Sequence, residues 1–196
     1  MVEIASPLGI AHLPGSHGNL ADGAGVKITE LRPGSIAEVA AWPGMEGSVR
    51  AAIEATTGLS ISAEPSAGAV KEARSAFGIG PGRFLAIDAA GGLAEALKTK
   101  LALEAGTVTD LSHGRTAIRI EGPRAEWVLA KLYAIDFSPA AFPVGTGKAT
   151  AHHDILTQMQ RVGDDAFDLY VFRSFARSFW TTLCHAAEEV GYQIVD

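Results

Sequence analysis

The sequence is poor in the features that cross-link a chain or attach it to a membrane. It contains one cysteine, Cys184, which excludes an intrachain disulfide. No apolar run approaches the roughly 20 residues that cross a bilayer. The first 25 residues are broken by prolines and glycines, and they lack the basic start and continuous apolar core of a signal peptide. We therefore expect a cytoplasmic protein with no membrane segment.

Basic residues are in the minority. The chain has 16 lysines and arginines against 22 aspartates and glutamates, which gives a formal net charge of -6. The basic residues form no run that would offset repulsion from a phosphate backbone, so a nucleic-acid partner is not expected. The apolar fraction of 47% in 196 residues is typical of a globular protein, either one large domain or two small halves that share a core.

Hydrophobic periodicity predicts the same order of elements in both halves of the chain: two strands, a helix, two or three strands and a helix. The predicted strands are 27–32, 36–41, 69–77, 83–88, 107–111, 115–121, 148–152, 155–162 and 167–172, and the predicted helices are 44–56, 93–103, 124–132 and 174–190. This order predicts an α+β fold of duplicated split β-α-β type units, with helices covering mainly antiparallel sheets. Residues 1–25 are predicted as a loose N-terminal arm, and residues 26–196 as a single domain made of the halves 26–104 and 105–196.

Two groups of residues resemble catalytic or metal-binding sets without meeting their geometry. Ser112 and His113 are adjacent, so in an extended segment their side chains point to opposite faces and the imidazole cannot activate the hydroxyl. His152, His153 and Asp154 diverge in the same way, and no further ligand stands at a supporting spacing. We interpret the second group as a hairpin turn and assign no catalytic residue and no metal site.

The glycine-rich segment and a set of charges complete the candidates. The segment 78–82, GIGPG, is followed by a strand, whereas a phosphate-binding loop requires a helix N-terminus there, so we interpret it as a connector and assign no cofactor-binding residue. Asp110, Arg115 and Arg119 form the most plausible charged constellation. It would either orient a carboxylated ligand or form a partly buried ion pair that fixes the hairpin register or meets another chain, and we favour the ion pair.

The last predicted helix is the clearest amphipathic element. Its apolar stripe consists of Phe175, Phe179, Leu183, Ala187 and Val190. Arg173, Arg177 and Trp180 fall near another side, and this combination of residue types is enriched in protein interfaces. These three residues, with Arg115 and Arg119, are therefore candidates for a partner interface. The alternative is that the arginine heads are solvated and Trp180 closes the edge of the core.

Two segments carry a family resemblance. They are 107–132, TVTDLSHGRTAIRIEGPRAEWVLAKL, and 167–189, FDLYVFRSFARSFWTTLCHAAEE. Together, in this order, they resemble the gamma subunit of heterotetrameric sarcosine oxidases and, more distantly, the folate-binding module of the glycine-cleavage T-protein. The segment 39–50, VAAWPGMEGSVR, and the entry Ser6-Pro7-Leu8 are similar to the same family.

The resemblance implies a fold like that folate-binding module and a place in an enzyme complex. Such a complex oxidises the N-methyl group of sarcosine and passes the one-carbon unit to tetrahydrofolate. The resemblance places FAD, FMN, NAD and tetrahydrofolate sites in the alpha and beta subunits and zinc in the delta subunit. It implies no cofactor in the gamma subunit. The expected role of this chain is therefore structural, in the assembly of the oxidase.

The sequence departs from the T-protein pattern at residues 148–160, where KATAHH passes through Asp154 to ILTQMQ in a compressed turn. The longer hairpin with a carboxylate for folate chemistry is missing, so Asp154 is not inherited as a catalytic residue. Two alternatives remain. One is the equivalent subunit of a related N-methyl amine oxidoreductase such as N-methylglutamate dehydrogenase, and the other is an independent folate-dependent one-carbon enzyme.

Overall fold

The computed structural model describes residues 5–195, which form twelve strands and four α-helices. The strands are β1 (Gly15–His17), β2 (Val26–Leu31), β3 (Ser35–Ala41), β4 (Gly68–Lys71), β5 (Arg74–Gly80), β6 (Arg83–Asp88), β7 (Gly106–Asp110), β8 (Arg115–Glu121), β9 (Gly147–His152), β10 (Ile155–Gly163), β11 (Ala166–Phe172) and β12 (Tyr192–Val195). The helices are α1 (Glu46–Thr57), α2 (Leu93–Lys100), α3 (Ala125–Leu132) and α4 (Ala176–Ala187). Short 3-10 turns occur at Gly9–Ala11, Arg173–Phe175 and Glu188–Val190.

The strands form two sheets that draw on both halves of the sequence. A seven-stranded sheet has the order β1-β12-β2-β8-β11-β10-β9, and a five-stranded sheet has the order β4-β5-β6-β3-β7. The pairings in both sheets are antiparallel except for β12 with β2. The predicted α+β class with mainly antiparallel sheets is confirmed. The sequence did not predict that β2 joins the second-half sheet while β7 joins the first-half sheet.

Apolar side chains divide the molecule into four layers. Helices α1 and α2 bury Val49, Ile53 and Leu97 against the five-stranded sheet. Helices α3 and α4 bury Val128 and Phe179 against the seven-stranded sheet. A third cluster joins the opposite faces of the two sheets, and it contains Ile36, Phe77, Leu85, Ile87, Ala117 and Tyr170. The alternation along each strand thus supplies one face for the helices and one for the other sheet.

The sheets approach most closely where β9 passes β5. A Cβ atom built on Gly147 would lie 2.0 Å from Cδ2 of Phe77, so only glycine fits at this crossing. The Gly147 amide donates to the carbonyl of Ser66 at 2.9 Å, and the side-chain amide of Gln160 donates to the carbonyl of Ala69 at 3.3 Å. These polar contacts hold the two sheets together at one end. A cleft between the sheets lies beside these contacts.

The described part of the N-terminal segment, residues 5–25, packs on the C-terminal elements of the same chain. Leu8 is fully buried, and β1 pairs with β12 through Gly15 and Ile194. The Asn19 amide donates to the carbonyl of Glu188 at 2.7 Å. Ordering of these residues therefore needs no second molecule. Residues 1–4 of the predicted arm lie outside the described residues.

Several predicted elements have different bounds in the structure. The predicted strand 69–77 is two strands, because a tight turn with a positive φ of 55° at Glu72 reverses the chain between them. The predicted helix 93–103 ends at Lys100, where Leu101 is already extended. The predicted helix 174–190 is α-helical only over 176–187 and has a 3-10 turn at each end. Among residues 5–195, no helix has the length and apolarity to span a membrane.

Candidate functional site

Two cavities lie in the cleft between the sheets, on either side of Ala117 and the connector 31–33. The first, of about 290 Å³, is called here the arginine cavity because Arg32, Arg115 and Arg173 line it. The second, of about 320 Å³, is called the ion-pair cavity because Arg119 and Asp168 line it. Both volumes are at the lower end of the range of small-molecule pockets.

The predicted constellation of Asp110, Arg115 and Arg119 is wrong, because the structure divides it. Consecutive strands β7 and β8 belong to different sheets, so Asp110 does not face the two arginines. Its carboxylate accepts hydrogen bonds from the Ser112 hydroxyl at 2.6 Å and the Ser112 amide at 2.9 Å. These bonds lower the pKa of Asp110. Asp110 therefore shapes the β7–β8 turn, and each arginine lines a different cavity.

Arg119 forms the ion pair that the sequence favoured, with a partner that the sequence did not identify. Arg119 on β8 lies opposite Asp168 on β11, and its Nε and Nη2 donate to the two carboxylate oxygens at 2.6 and 2.9 Å. Burial of the carboxylate raises the pKa of Asp168, and the hydrogen bonds and charge of Arg119 act in the opposite direction. The carboxylate accepts the hydrogen bonds of Arg119, which raise the pKa of the guanidinium. Neighbouring Tyr170 is buried, and burial raises the pKa of its hydroxyl.

Arg115 has a different environment although it shares the strand face of Arg119. Its guanidinium carbon lies 3.7 Å from the centre of the Phe172 ring, and its Nε makes a long hydrogen bond of 3.4 Å to Gln158. No carboxylate among residues 5–195 forms an ion pair with it. Burial lowers the pKa of Arg115, because desolvation disfavours its charge. Arg115 is thus a half-buried cation with no carboxylate within 4.0 Å among residues 5–195, and the more distant charge of Glu38 partly offsets the effect of burial on its pKa.

Trp180 is not an exposed interface residue, contrary to the interface interpretation. It is 2% exposed within the core beneath α4, and its ring lies 5.5 Å from that of His12. Arg173 and Arg177 reach the same N-terminal segment, where they donate to the carbonyls of Ala5 at 2.7 Å and Pro7 at 3.2 Å. Trp180 is covered in part by His12, which belongs to the segment that the sequence analysis predicted as a loose N-terminal arm.

Large apolar side chains are exposed beside these arginines. Ile10 is 88% exposed, Leu13 61% and Phe175 39%. We call these three residues, with Arg173 and Arg177, the N-terminal patch. An exposed cluster of large apolar side chains next to arginine is typical of a protein interaction site.

Sequence reasoning missed Arg161, which is 2% exposed. Its Nη1 donates to the carbonyl of Phe137 at 2.7 Å, and its Nη2 contacts Glu126 at 2.6 Å. Further bonds reach the carbonyls of Phe142, Gly163 and Asp164. A signal existed in the sequence: Arg161 stands in phase with the buried positions Thr157 and Met159 on β10.

The remaining sequence candidates have structural roles. The Ser112 hydroxyl accepts a hydrogen bond from the Ile36 amide at 3.0 Å. His152 and Ile155 are paired across a two-residue hairpin, as interpreted from the sequence, and His153 occupies it with a φ of 49°. Residues 78–80 belong to the end of β5 and pair with β6, so the connector interpreted from the sequence is confined to Pro81 and Gly82. No group of three or more His, Cys, Asp or Glu able to hold a metal ion occurs within the described residues.

Comparisons with known protein sequences identify two similar groups. Residues 79–195 match the family model of the GCVT N-terminal domain. The sarcosine oxidase subunit gamma of Arthrobacter sp is 35% identical over 143 residues, which cover 72% of this chain and 70% of that protein. The sarcosine oxidase subunit gamma of Corynebacterium sp. (strain P-1) is 32% identical over 171 residues, which cover 87% of this chain and 84% of that protein.

Comparisons with solved structures agree with these matches. A chain of the heterotetrameric sarcosine oxidase from Corynebacterium sp. U-96, in complex with pyrrole 2-carboxylate, has a TM-score of 0.81 and 26% identity. The match covers 95% of this chain and 96% of that chain. Glycine cleavage system aminomethyltransferase T from Bartonella henselae has a TM-score of 0.60 and 17% identity over 88% of this chain and 48% of that chain. The second likeness shows the fold alone and confirms its predicted similarity to the T-protein.

Proposed function

The chain belongs to the family of sarcosine oxidase gamma subunits, and we propose that it is the gamma subunit of a heterotetrameric sarcosine oxidase, with a structural role in assembly. One observation carries the proposal. The likeness spans nearly the whole chain, at 95% of this chain and 96% of a chain from a heterotetrameric sarcosine oxidase. A shared domain inserted into an unrelated protein would not match over the full length of both chains.

The proposed complex oxidatively demethylates sarcosine and passes the one-carbon unit to tetrahydrofolate. Its partners are alpha, beta and delta subunits, which hold FAD, FMN, NAD, tetrahydrofolate and zinc. The gamma chain contributes surface to these partners. The named relatives favour sarcosine over the N-methylglutamate alternative, because both are sarcosine oxidase subunits.

The N-terminal patch is the proposed contact surface for a larger, flavin-carrying subunit. Ile10 and Leu13 project from a segment whose own anchors, Leu8 and the bonds from Arg173 and Arg177, fix it on the body of the chain. A rigid segment loses little conformational entropy when it binds, so its exposed side chains are well suited to an interface. Arg173 and Arg177 remain proposed interface residues, with a second role in holding this segment. Trp180 is buried and contributes to this surface indirectly, by packing against His12 of the N-terminal segment.

An assembly test follows from this surface. In the Ile10→Asp, Leu13→Asp double variant, a carboxylate would be buried without a partner at each position, so we expect recovery of the co-expressed complex to fall at least about tenfold. Thermal unfolding of the isolated chain should hardly change, because both side chains are exposed. Quantitative pull-down through a tag on the gamma chain measures the recovery.

The matched control is Leu156→Asp, which changes a residue of 58% exposure on β10, next to the opposite edge of the seven-stranded sheet from β1. This variant should assemble normally. Undiminished recovery of the double variant would place the interface elsewhere on the chain.

The rival proposal is an independent folate-dependent enzyme. Calorimetric titration of the isolated chain with tetrahydrofolate separates the two proposals. The gamma subunit assignment predicts no saturable heat at micromolar ligand. Saturable micromolar binding would favour the rival and would require a folate pocket in this chain.

A further inference from the structure

We propose that the arginine cavity is a binding site for a compact organic carboxylate. The proposal concerns a ligand of this chain itself and does not depend on the assembly role. It rests on three features of the cavity: concentrated positive charge, unused guanidinium donors and an apolar wall.

The cavity is positively charged, whereas the protein as a whole carries a negative net charge. Arg32, Arg115 and Arg173 line it, in a chain whose formal net charge is -6. Glu30 is the acidic side chain in the lining, and it is 5% exposed. Both of its carboxylate oxygens contact the Ser6 hydroxyl, at 2.9 and 2.8 Å, and Arg32 lies 3.6 Å away. The cavity therefore keeps an excess of positive charge, which favours an anionic occupant.

The donors of Arg115 are available to such an occupant. Apart from the long Nε bond to Gln158, no hydrogen bond joins its guanidinium to a described residue, so both Nη groups lack a described acceptor. The Phe172 ring packs against the guanidinium, with the guanidinium carbon 3.7 Å from the ring centre. A planar fork held in place is suited to bidentate recognition of a carboxylate. Arg173 adds charge, although one Nη already donates to Ala5.

The walls indicate an organic body attached to the anion. Leu31, Ile36 and Ala117 provide apolar surface in the same cavity, and Pro7 and Pro33 also line it. The volume of about 290 Å³ limits the ligand to a small molecule. Inorganic phosphate would satisfy the arginines but would leave the apolar surface uncovered. A small carboxylate with a flat or short apolar body satisfies both.

Benzoate is the probe, and calorimetry with the full-length chain is the measurement. We expect saturable binding of benzoate in the millimolar range or tighter, with inorganic phosphate at least threefold weaker. Arg115→Gln should weaken benzoate binding at least tenfold. The benzoate affinity of Arg115→Lys should lie between those of wild type and Arg115→Gln, because lysine keeps the positive charge but lacks the two-pronged guanidinium. The control is Arg74→Gln, which removes an arginine of the ion-pair cavity that is already paired with Asp88 at 2.8 Å. It should leave benzoate affinity unchanged.

Three results would overturn the proposal. Equal benzoate affinity in the wild-type and Arg115→Gln chains would remove Arg115 from any site. Equal affinity for phosphate and benzoate would mean that the cavity binds anions in general and does not select an organic carboxylate. Absence of saturable benzoate binding to the wild-type chain would remove the ligand site, and failure of the Arg115→Gln chain to assemble would then assign Arg115 to a contact with a partner. Normal assembly of an Arg115→Gln chain that has lost benzoate binding would support the ligand site and leave the assembly role intact.

Discussion

Replacing Arg161 by methionine is expected to lower the free energy of unfolding by about 3–5 kcal/mol. Methionine fills much of the space but donates no hydrogen bond. The carbonyls of Phe137, Phe142 and Gly163 would lose their donor, and the Glu126 carboxylate would lose its counter-ion. Each buried acceptor left without a partner costs about 1–3 kcal/mol.

Urea denaturation of the isolated chain measures this effect. The matched control is Arg83→Met, because Arg83 also lies on a strand and pairs with Glu38 at 2.7 Å, but its side chain is 55% exposed. An exposed pair contributes about 0–1 kcal/mol, so the control should unfold close to wild type. If the two variants lost equal stability, the buried network would not have the role assigned to it.

The second large effect concerns the Arg119–Asp168 ion pair, which joins two neighbouring strands of the seven-stranded sheet, and it depends on pH. Arg119→Met should lower the free energy of unfolding by about 2–4 kcal/mol at pH 7, because it leaves the buried Asp168 carboxylate unpaired. The estimate stays below that for Arg161 because the Arg119 side chain is 35% exposed and solvent screens part of the interaction. Combining it with Asp168→Asn should restore part of the loss, because the unpaired charge is then removed.

The sign of the pH dependence follows from the raised pKa of Asp168. A carboxyl group whose folded pKa exceeds its unfolded pKa stabilises the fold in its protonated form. That contribution is complete below the unfolded pKa and is lost as pH rises through the folded pKa. Removing Arg119 raises the folded pKa of Asp168 further. The cost of Arg119→Met should therefore shrink from pH 7 toward pH 4, and a cost independent of pH would contradict this account.

Local patterns in the sequence predicted most elements well. Strands β6 and β8 occur at their predicted bounds, 83–88 and 115–121, because alternation of apolar and polar residues fixes a strand and its buried face. Alternation carries no information about the partner strand. Hence the exchange of β2 and β7 between the sheets, which decides where Asp110, Arg115 and Arg119 lie, was not predictable from their spacing.

The candidate site was predictable only in part, for the same reason. Arg119 forms a partly buried ion pair, but its partner is Asp168, 49 residues away, and not Asp110, with which the sequence analysis had grouped it. Trp180 was placed on the same side of α4 as the arginines, and its burial depends on residues 5–14, where no strong periodicity exists. Tertiary contacts between distant segments decided both outcomes.

Purification of the tagged chain from its native cells tests the central claim most directly. The account predicts a yellow complex that contains flavin and three further polypeptides and oxidises sarcosine. The contradictory result would be a colourless chain that elutes alone, while the sarcosine-oxidising activity of the same extract stays entirely in the unbound fraction.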